Sequence, residues 1–311
     1  MPSEHPRTTR LSVVVPSVNG LGDLRGCLAA LAGERAADPA RLELEVLLVE
    51  RCGAVVRTAI ASESPWVTII PVDSRETIPE MRKRAFETAT GDMVAVIEDH
   101  VIVPPGWASR MCDALHHEDG SVRAIVGGSV SNAATDSIVD WAAFLCEYSH
   151  CLPPLQSGSV GWLTGNNVVY PRDLLLQHVD SLGQDRWENV LHDSMRDRGV
   201  RLVCYPDIGI GHKKHYTIAE YLSQRYLYAR AYAGARARRE GFVRRMAYGL
   251  GALILPPVLF ARVVKRVRLS GAHQRELRAS RALLALFVCS WAAGEFVGAF
   301  FGGGDALERV C

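Results

Sequence analysis

TGDMVAVIEDHVIVPPGW, residues Thr90 to Trp107, decides how the chain is read. Its apolar run, Met93 to Ile97, is too brief for a helix of ordinary length and reads as a buried strand. Three potential metal ligands follow in a row: Glu98, Asp99 and His100. The Pro104-Pro105-Gly106 turn then stops the element. In open α/β sheets, ligands gather outside the carboxyl ends of strands, so a polar triplet at that point marks where chemistry sits.

Upstream, the same pattern repeats. Leu11 to Val15 is a β-branched run ending at Pro16, and Gly22 to Ala32 reads as a helix with Leu24, Leu28 and Leu31 on one face. Leu42 to Val49 is a second strand ending at Glu50, and Val67 to Val72 a third closing on Asp73. Ile78 to Thr90 is helical, with Pro79 tolerated in its first turn. Strand and helix in alternation predict an α/β fold with a mostly parallel sheet covered on both faces. Each strand ends in a polar residue (Asn19, Glu50, Asp73, Asp99), which puts four of them along one edge.

Downstream, Gly106 to His116 is a helix and Ser121 to Val130 a strand whose Gly127-Gly128 pair signals a close approach by backbone or ligand. Residues 132–160 read as irregular. Val160 to Tyr170 ends in a strand, Arg186 to Arg198 is a helix stopped at Gly199, and Val200 to Tyr205 is a strand. Asp207 to Tyr216 then carries two His and two Lys.

Net charge is +1, but Lys213 to Arg281 holds sixteen Lys/Arg against three Asp/Glu, leaving a net −12 on the remainder. A near-neutral chain with one basic segment points to a membrane surface or polyanion and away from a nucleic-acid binder. The eight Cys form no CxxC pair, which argues against a zinc module or disulfide framework and fits a reducing compartment. The polar N-terminus MPSEHPRTTR lacks the apolar core of a secretion signal.

In this order the pieces resemble the family 2 glycosyltransferases of GT-A fold, over roughly residues 10–240. The segments that carry the likeness are VVVPSVNG, LEVLLVE, PEMRKRAFETATGD, IEDHVIVPPGW, TGNNVVYPRDLL and WENVLHDSMRDRGVRLVCYPD. The resemblance implies a nucleotide-diphosphate sugar held by Pro16, Asn19, Glu50, Asp73, Arg82 and Glu98. It implies an acceptor held by Trp162, Gly165, Asn166 and Trp187, with Asn167 beside them. It implies a divalent cation, Mn²⁺ or Mg²⁺, at the metal-binding triplet. Here the usual D-x-D is Glu98-Asp99-His100, and a softer His favours Mn²⁺. Asp99 is expected as the direct ligand, with His100 and His212 completing the shell and Lys213 and Lys214 adding charge for the phosphates. The general base falls on Glu188 when counted back from Gly199, with Asp193 as the rival. One base with in-line displacement implies inversion at the sugar carbon. No QxxRW box is present, so transfer of one sugar at a time is expected.

Met246 to Val264 and Leu283 to Gly303 are apolar runs near the ~20 residues that cross a bilayer. The segment between them is basic, and Pro256-Pro257 interrupts the first. The first run is expected to re-enter or lie in the membrane plane at the cytoplasmic face, and the second to cross once or return. Glu295 inside the second needs a partner. Tyr216 to Arg239 reads as a basic, Tyr-rich helix at the interface. The expected organisation is a catalytic domain over residues 1–240 and a membrane-associated helical tail over 241–311. The acceptor is expected to be lipid-linked or a cell-envelope polysaccharide, with a second copy of the chain as a further candidate partner and no nucleic acid. The rival readings are a nucleotidyltransferase, which would want a better Gly-rich loop than Ser17 to Gly22, and a non-catalytic scaffold that keeps the fold.

Overall fold

A computed structural model of the chain describes residues 8–183, 186–238 and 240–310. They divide into two compact units, one of residues 1–130 and 156–212, the other of 131–155 and 213–311. This division is one of packing, whereas the boundary expected at residue 240 is one of function.

The first unit alternates strand and helix as the hydrophobic pattern demands. In order come β1 (Thr9–Ser17), α1 (Leu21–Ala37), β2 (Leu42–Glu50), α2 (Ala54–Glu63), β3 (Thr68–Pro71), α3 (Ile78–Thr88), β4 (Met93–Val96), β5 (Val101–Ile102) and α4 (Trp107–Glu118). β6 (Ala124–Asn132) carries the chain to the unit's edge. After α5 (Ile138–Tyr148) of the second unit, the chain returns with β7 (Gly158–Ser159), β8 (Val168–Pro171), α6 (Arg172–His178), α7 (Glu188–Asp197) and β9 (Arg201–His212). The sheet order is β3-β2-β1-β4-β8-β6-β9-β5. β3, β2, β1 and β4 are parallel, while β8 runs antiparallel to both β4 and β6. β5 is antiparallel to β9, with Val101 opposite His212. The α/β architecture read from the sequence is the one observed.

α3, α6 and α7 share one apolar core with the sheet, in which Met81, Phe86, Leu174, Leu175, Leu191 and Met195 meet Val14, Leu47, Val96 and Tyr170. Burying such side chains stabilises the layer by roughly 1.5–3 kcal/mol each. Gly91 lets β4 start close to β1, since a Cβ there would lie 2.7 Å from the Ser12 nitrogen. The close approach signalled by Gly127-Gly128 is one of backbone: a Cβ on Gly128 would collide with the Ile208 carbonyl of β9.

The structure departs from the sequence pattern in three places. Residues 138–148, expected within an irregular stretch, form α5. Ser137 accepts a hydrogen bond from the Asp140 N–H at 3.1 Å, and Ala142, Ala143, Phe144 and Leu145 are buried. Aromatics and flanking prolines masked that cap. The expected helix from Arg186 begins instead at Glu188, and Gln184 and Asp185 lie outside the described residues. α2 carries little amphipathic signal, with only Val56 and Ile60 buried.

The second unit is helical: α5, α8 (Ile218–Arg238), α9 (Phe242–Gly251), α10 (Leu255–Ser270) and α11 (Gln274–Phe301). Segments 242–270 and 274–301 are both long and apolar enough to cross a membrane. Glu295 has the partner it needed, an ion pair with Arg236.

Candidate active site

β1 delivers Asn19 to one edge of the sheet, and β4 ends one residue before Ile97, which frees Glu98, Asp99 and His100 from strict strand alternation. Asp99 is 1% exposed. Its Oδ2 accepts from the backbone N–H groups of Val18 and Asn19 at 2.8 and 2.9 Å, and its Oδ1 from Asn19 Nδ2 at 2.6 Å. Both oxygens are thus spent on fastening the loop after β1. Burial opposes ionisation of Asp99, but bonds from His100 and Asn19 outweigh it and hold the carboxyl below its ordinary range.

The ligand atoms that converge belong to Glu98, His100 and His212, all within 4.8 Å of one another. The two Nε2 atoms of His100 and His212 face each other at 2.9 Å, and Glu98 Oε2 lies 3.4 Å from His100 Nε2. His100 Nδ1 sits 3.0 Å from Asp99 Oδ1. With that nitrogen donating to Asp99, Nε2 offers its lone pair to a cation once its own proton has left, the carboxylate–histidine arrangement common around bound metals. Two imidazoles and one carboxylate form a mixed N/O set that suits Mn²⁺ better than Mg²⁺. Burial disfavours a charged His100, yet its bonds to Asp99 and Glu98 prevail and lift it to about 9. The cluster's surplus of negative charge thus draws in a positive one. Glu98 is held well below the carboxylate range: burial opposes this, and His100 and Arg82 overcome it.

α3 brings Arg82 into the same place. The helix opens with a capping box in which the Thr77 N–H donates to Glu80 Oε2 at 2.9 Å. This start puts Arg82, 2% exposed, on the face turned to the sheet. Its guanidinium lies 3.7 Å from Glu98 Oε1 and forms a close ion pair with Glu188 at the start of α7. Burial works against the charge on Arg82, but Glu188 and Glu98 raise its pKa nonetheless. Asn166 Nδ2 donates to Glu98 Oε2 at 2.8 Å. A Cβ on Gly165 would lie 3.0 Å from Glu188 Oε2, so the glycine makes room for that carboxylate. Arg82 therefore bridges the cation cluster and the candidate base.

The other candidates fall into place around this centre or apart from it. Glu50, fully buried, accepts from the Gly53 N–H and from Arg57, both at 3.0 Å. Pro16 is buried opposite Val49. Asp73 is exposed, and its carboxylate accepts from the Arg75 N–H at 2.8 Å. Asn167 is committed to the scaffold: it donates to the Ser129 and Ile208 carbonyls and accepts from Trp107 Nε1 at 3.0 Å. Trp162 is 48% exposed, whereas Trp187 is buried at the N-terminus of α7. Asp193, the rival base, pairs with Arg196 on the exposed side of α7. Tyr170 and His192 were not singled out. The Tyr170 hydroxyl lies 2.7 Å from His192 Nε2, and the buried Nδ1 has no hydrogen-bond partner among the described residues. The sequence signal was there: His192 stands one helical turn after Glu188, on the same inward face.

Residues 12–144 match the model of Glycosyl transferase family 2. Over these residues the chain is similar to the family 2 glycosyltransferases. The enzyme class is that of the family, and the fold is GT-A. Among solved structures, the chain is similar to the mannosyltransferase PcManGT from Pyrobaculum calidifontis in complex with GDP-Man and Mn²⁺, with TM-score 0.52, 16% identity, and 93% of this chain and 87% of that one covered. It is similar also to S. aureus TarS 1–349 in complex with UDP-GlcNAc, with TM-score 0.51, 14% identity, and coverage of 88% and 90%. A third neighbour is GalNAc-T7 with UDP, GalNAc and Mn²⁺, with TM-score 0.50, 14% identity, and coverage of 72% and 50%. No curated protein matches the sequence. In this fold the edge where β1, β2 and β4 end holds the Glu98, His100 and His212 cluster, with Arg82 joining it to Glu188.

Proposed function

We propose that the chain transfers one sugar from a nucleotide-diphosphate sugar to a hydroxyl acceptor, with inversion, using a divalent cation held by Glu98, His100 and His212. The observation that carries this reading is Arg82, which contacts Glu98 on one side and Glu188 on the other. Such a link places a candidate base beside the cation cluster, as a displacement needs if base and leaving group flank one carbon.

A bound divalent cation would supply charge neutralisation for the departing diphosphate. The protein's own groups do the rest. Asn19 and Asp99 fix the loop after β1, and with Pro16, Glu50 and Asp73 they line the donor side. Asn166 orients Glu98. Glu188 takes the proton of the acceptor hydroxyl, and Trp162, Gly165 and Trp187 shape the acceptor side. Asp99 acts here through the loop it fastens, and Glu98 takes the direct-ligand role expected of Asp99. In this reading residues 1–240 form the catalytic domain and residues 241–311 a tail at the cytoplasmic face of the membrane, and the acceptor is lipid-linked or a cell-envelope polysaccharide.

The test is a panel of nucleotide-sugars with and without Mn²⁺, with product stereochemistry read by NMR. Turnover that needs the cation, is lost in Glu188→Gln and gives an inverted product is the expected result. A retained anomeric configuration, or turnover unchanged in Glu188→Gln, would overturn the single-base mechanism.

A further inference from the structure

We infer that segment 242–270 lies in the plane of an anionic bilayer surface as a broken amphipathic helix, and that α11 does not cross the membrane. This deepens the membrane placement proposed above, and its readouts do not depend on sugar transfer.

The first observation is a backbone carbonyl. α9 ends at Gly251, one tight turn covers residues 252–254, and α10 starts at Leu255. Pro256 and Pro257 lack an N–H, so the Leu253 carbonyl finds no donor at either the third or the fourth following residue. In hydrocarbon such a group has nothing to bond. Yet the apolar side chains here are exposed, Leu253 at 68% and Ile254 at 66%. Apolar side chains beside a carbonyl without its helical donors suit the boundary between headgroups and acyl chains, where water still reaches the backbone.

The second observation is charge. Phe242 and Val243 are 75% and 79% exposed, and Leu250, Val258 and Leu269 are exposed too. Arg244 stands exposed at one end of the segment, with Arg262, Lys265 and Arg268 exposed toward the other. An in-plane helix lets both ends meet lipid phosphates, whereas a crossing would send one cluster to the far side.

The third observation concerns α11. It runs parallel to α8, and its small residues press on that helix: a Cβ on Gly294 or Gly298 would collide with the carbonyls of Tyr226 or Arg230. Ser290 Oγ donates to the Leu222 carbonyl at 2.7 Å, and Glu295 pairs with Arg236. α8 carries Glu220, Arg225, Arg230, Arg236 and Arg238. An α11 wrapped by lipid would have to take that charged helix with it. Its apolar length is instead the core of the helical unit, with Leu284, Phe287 and Val288 buried.

The experiment is vesicle flotation of the full chain, with binding of a nucleoside diphosphate measured alongside. Wild type should float with vesicles containing phosphatidylglycerol, but not with pure phosphatidylcholine, and should be released by high salt or alkaline carbonate. The Leu253→Asp, Ile254→Asp double variant should stay unbound while binding nucleotide normally. Arg262→Ala, Lys265→Ala and Arg268→Ala together should weaken vesicle binding by roughly tenfold or more. A fluorophore on Leu253→Cys should report shallow insertion. Resistance of membrane-bound protein to carbonate, or a deep probe, would establish a span and overturn the inference. Equal flotation with neutral vesicles would remove the anionic surface from it. Loss of nucleotide binding in wild type would count against the transferase reading and leave the surface assignment standing.

Discussion

Asn19 grips Asp99 twice, through its side-chain amide at 2.6 Å and its backbone N–H at 2.9 Å. The Val18 N–H adds a third bond to the same buried carboxylate. Asp99→Ala strands these donors, and each unmet group costs about 1–3 kcal/mol. The expected outcome is a clear drop in unfolding midpoint in urea, with weakened donor binding as the loop loosens. Unchanged stability would show that the loop is held some other way.

His100→Ala and His212→Ala act on the cation instead. Each removes a nitrogen from a three-ligand cluster. Mn²⁺ should raise the thermal midpoint of the wild type, because a ligand bound only by the folded chain stabilises it. That increment should vanish in either variant. A full Mn²⁺ shift in both would place the cation elsewhere.

Gly165→Ala is a probe of Glu188. The added methyl would sit 3.0 Å from Glu188 Oε2 and force the carboxylate to move. kcat is expected to fall by about 10² or more, as it does when a positioned base is displaced. The donor's KM should barely change. A rise in donor KM with kcat intact would assign Glu188 to donor binding.

His192 gives the chain a pH signature. Burial and the nearby Arg82 depress it to about 3, so the folded chain leaves it neutral where the unfolded chain, near 6.5, takes a proton. The stability contribution is thus present above about 6.5 and lost as pH falls toward 3, at about 1.4 kcal/mol per unit for this one group. His192→Gln should flatten that part of the curve of thermal midpoint against pH. An identical acid limb in the variant would show that other groups dominate it.

Gly294→Val and Gly298→Val overfill the seam between α8 and α11. Overpacking costs typically 1–3 kcal/mol, and here the obstacle is backbone, which yields poorly. Both should lower the thermal midpoint by several degrees. Wild-type stability in either variant would mean the two helices are not packed as described.

Much of the first unit was legible because its strands end in polar residues and local signals such as Pro79 and Gly199 mark where helices start and stop. Leu11–Val15 and Met93–Ile97 are apolar runs that leave few alternatives. The sequence offered ligand types at the end of β4 and at His212, with Asp99 expected as the direct ligand. Which of the triplet faces the cluster was not legible, because that depends on where β4 ends. The strand stops at Val96, and this turns Asp99 to the loop and Glu98 to the cluster. α5 escaped notice because its helix-forming core, Ala142 to Leu145, is flanked by aromatics and prolines that imitate a loop. The helical tail was visible as apolar length. Only packing showed that α11 spends its length on α8, since glycines that admit a neighbouring backbone look, in sequence, like any small residues in a membrane segment.

The pairing of Val101 with His212 has one last effect. His100 precedes that rung and His212 is part of it, so two imidazoles distant in the chain meet because the short β5 and the end of β9 agree on their alignment. Sliding β9 by one position would present Gly211 or Lys213 in place of the imidazole, and the trio would be broken. In the proposed reading, cation affinity would therefore gauge whether the far margin of the sheet has zipped in step, and a chain misaligned there would announce itself by failing to hold the cation.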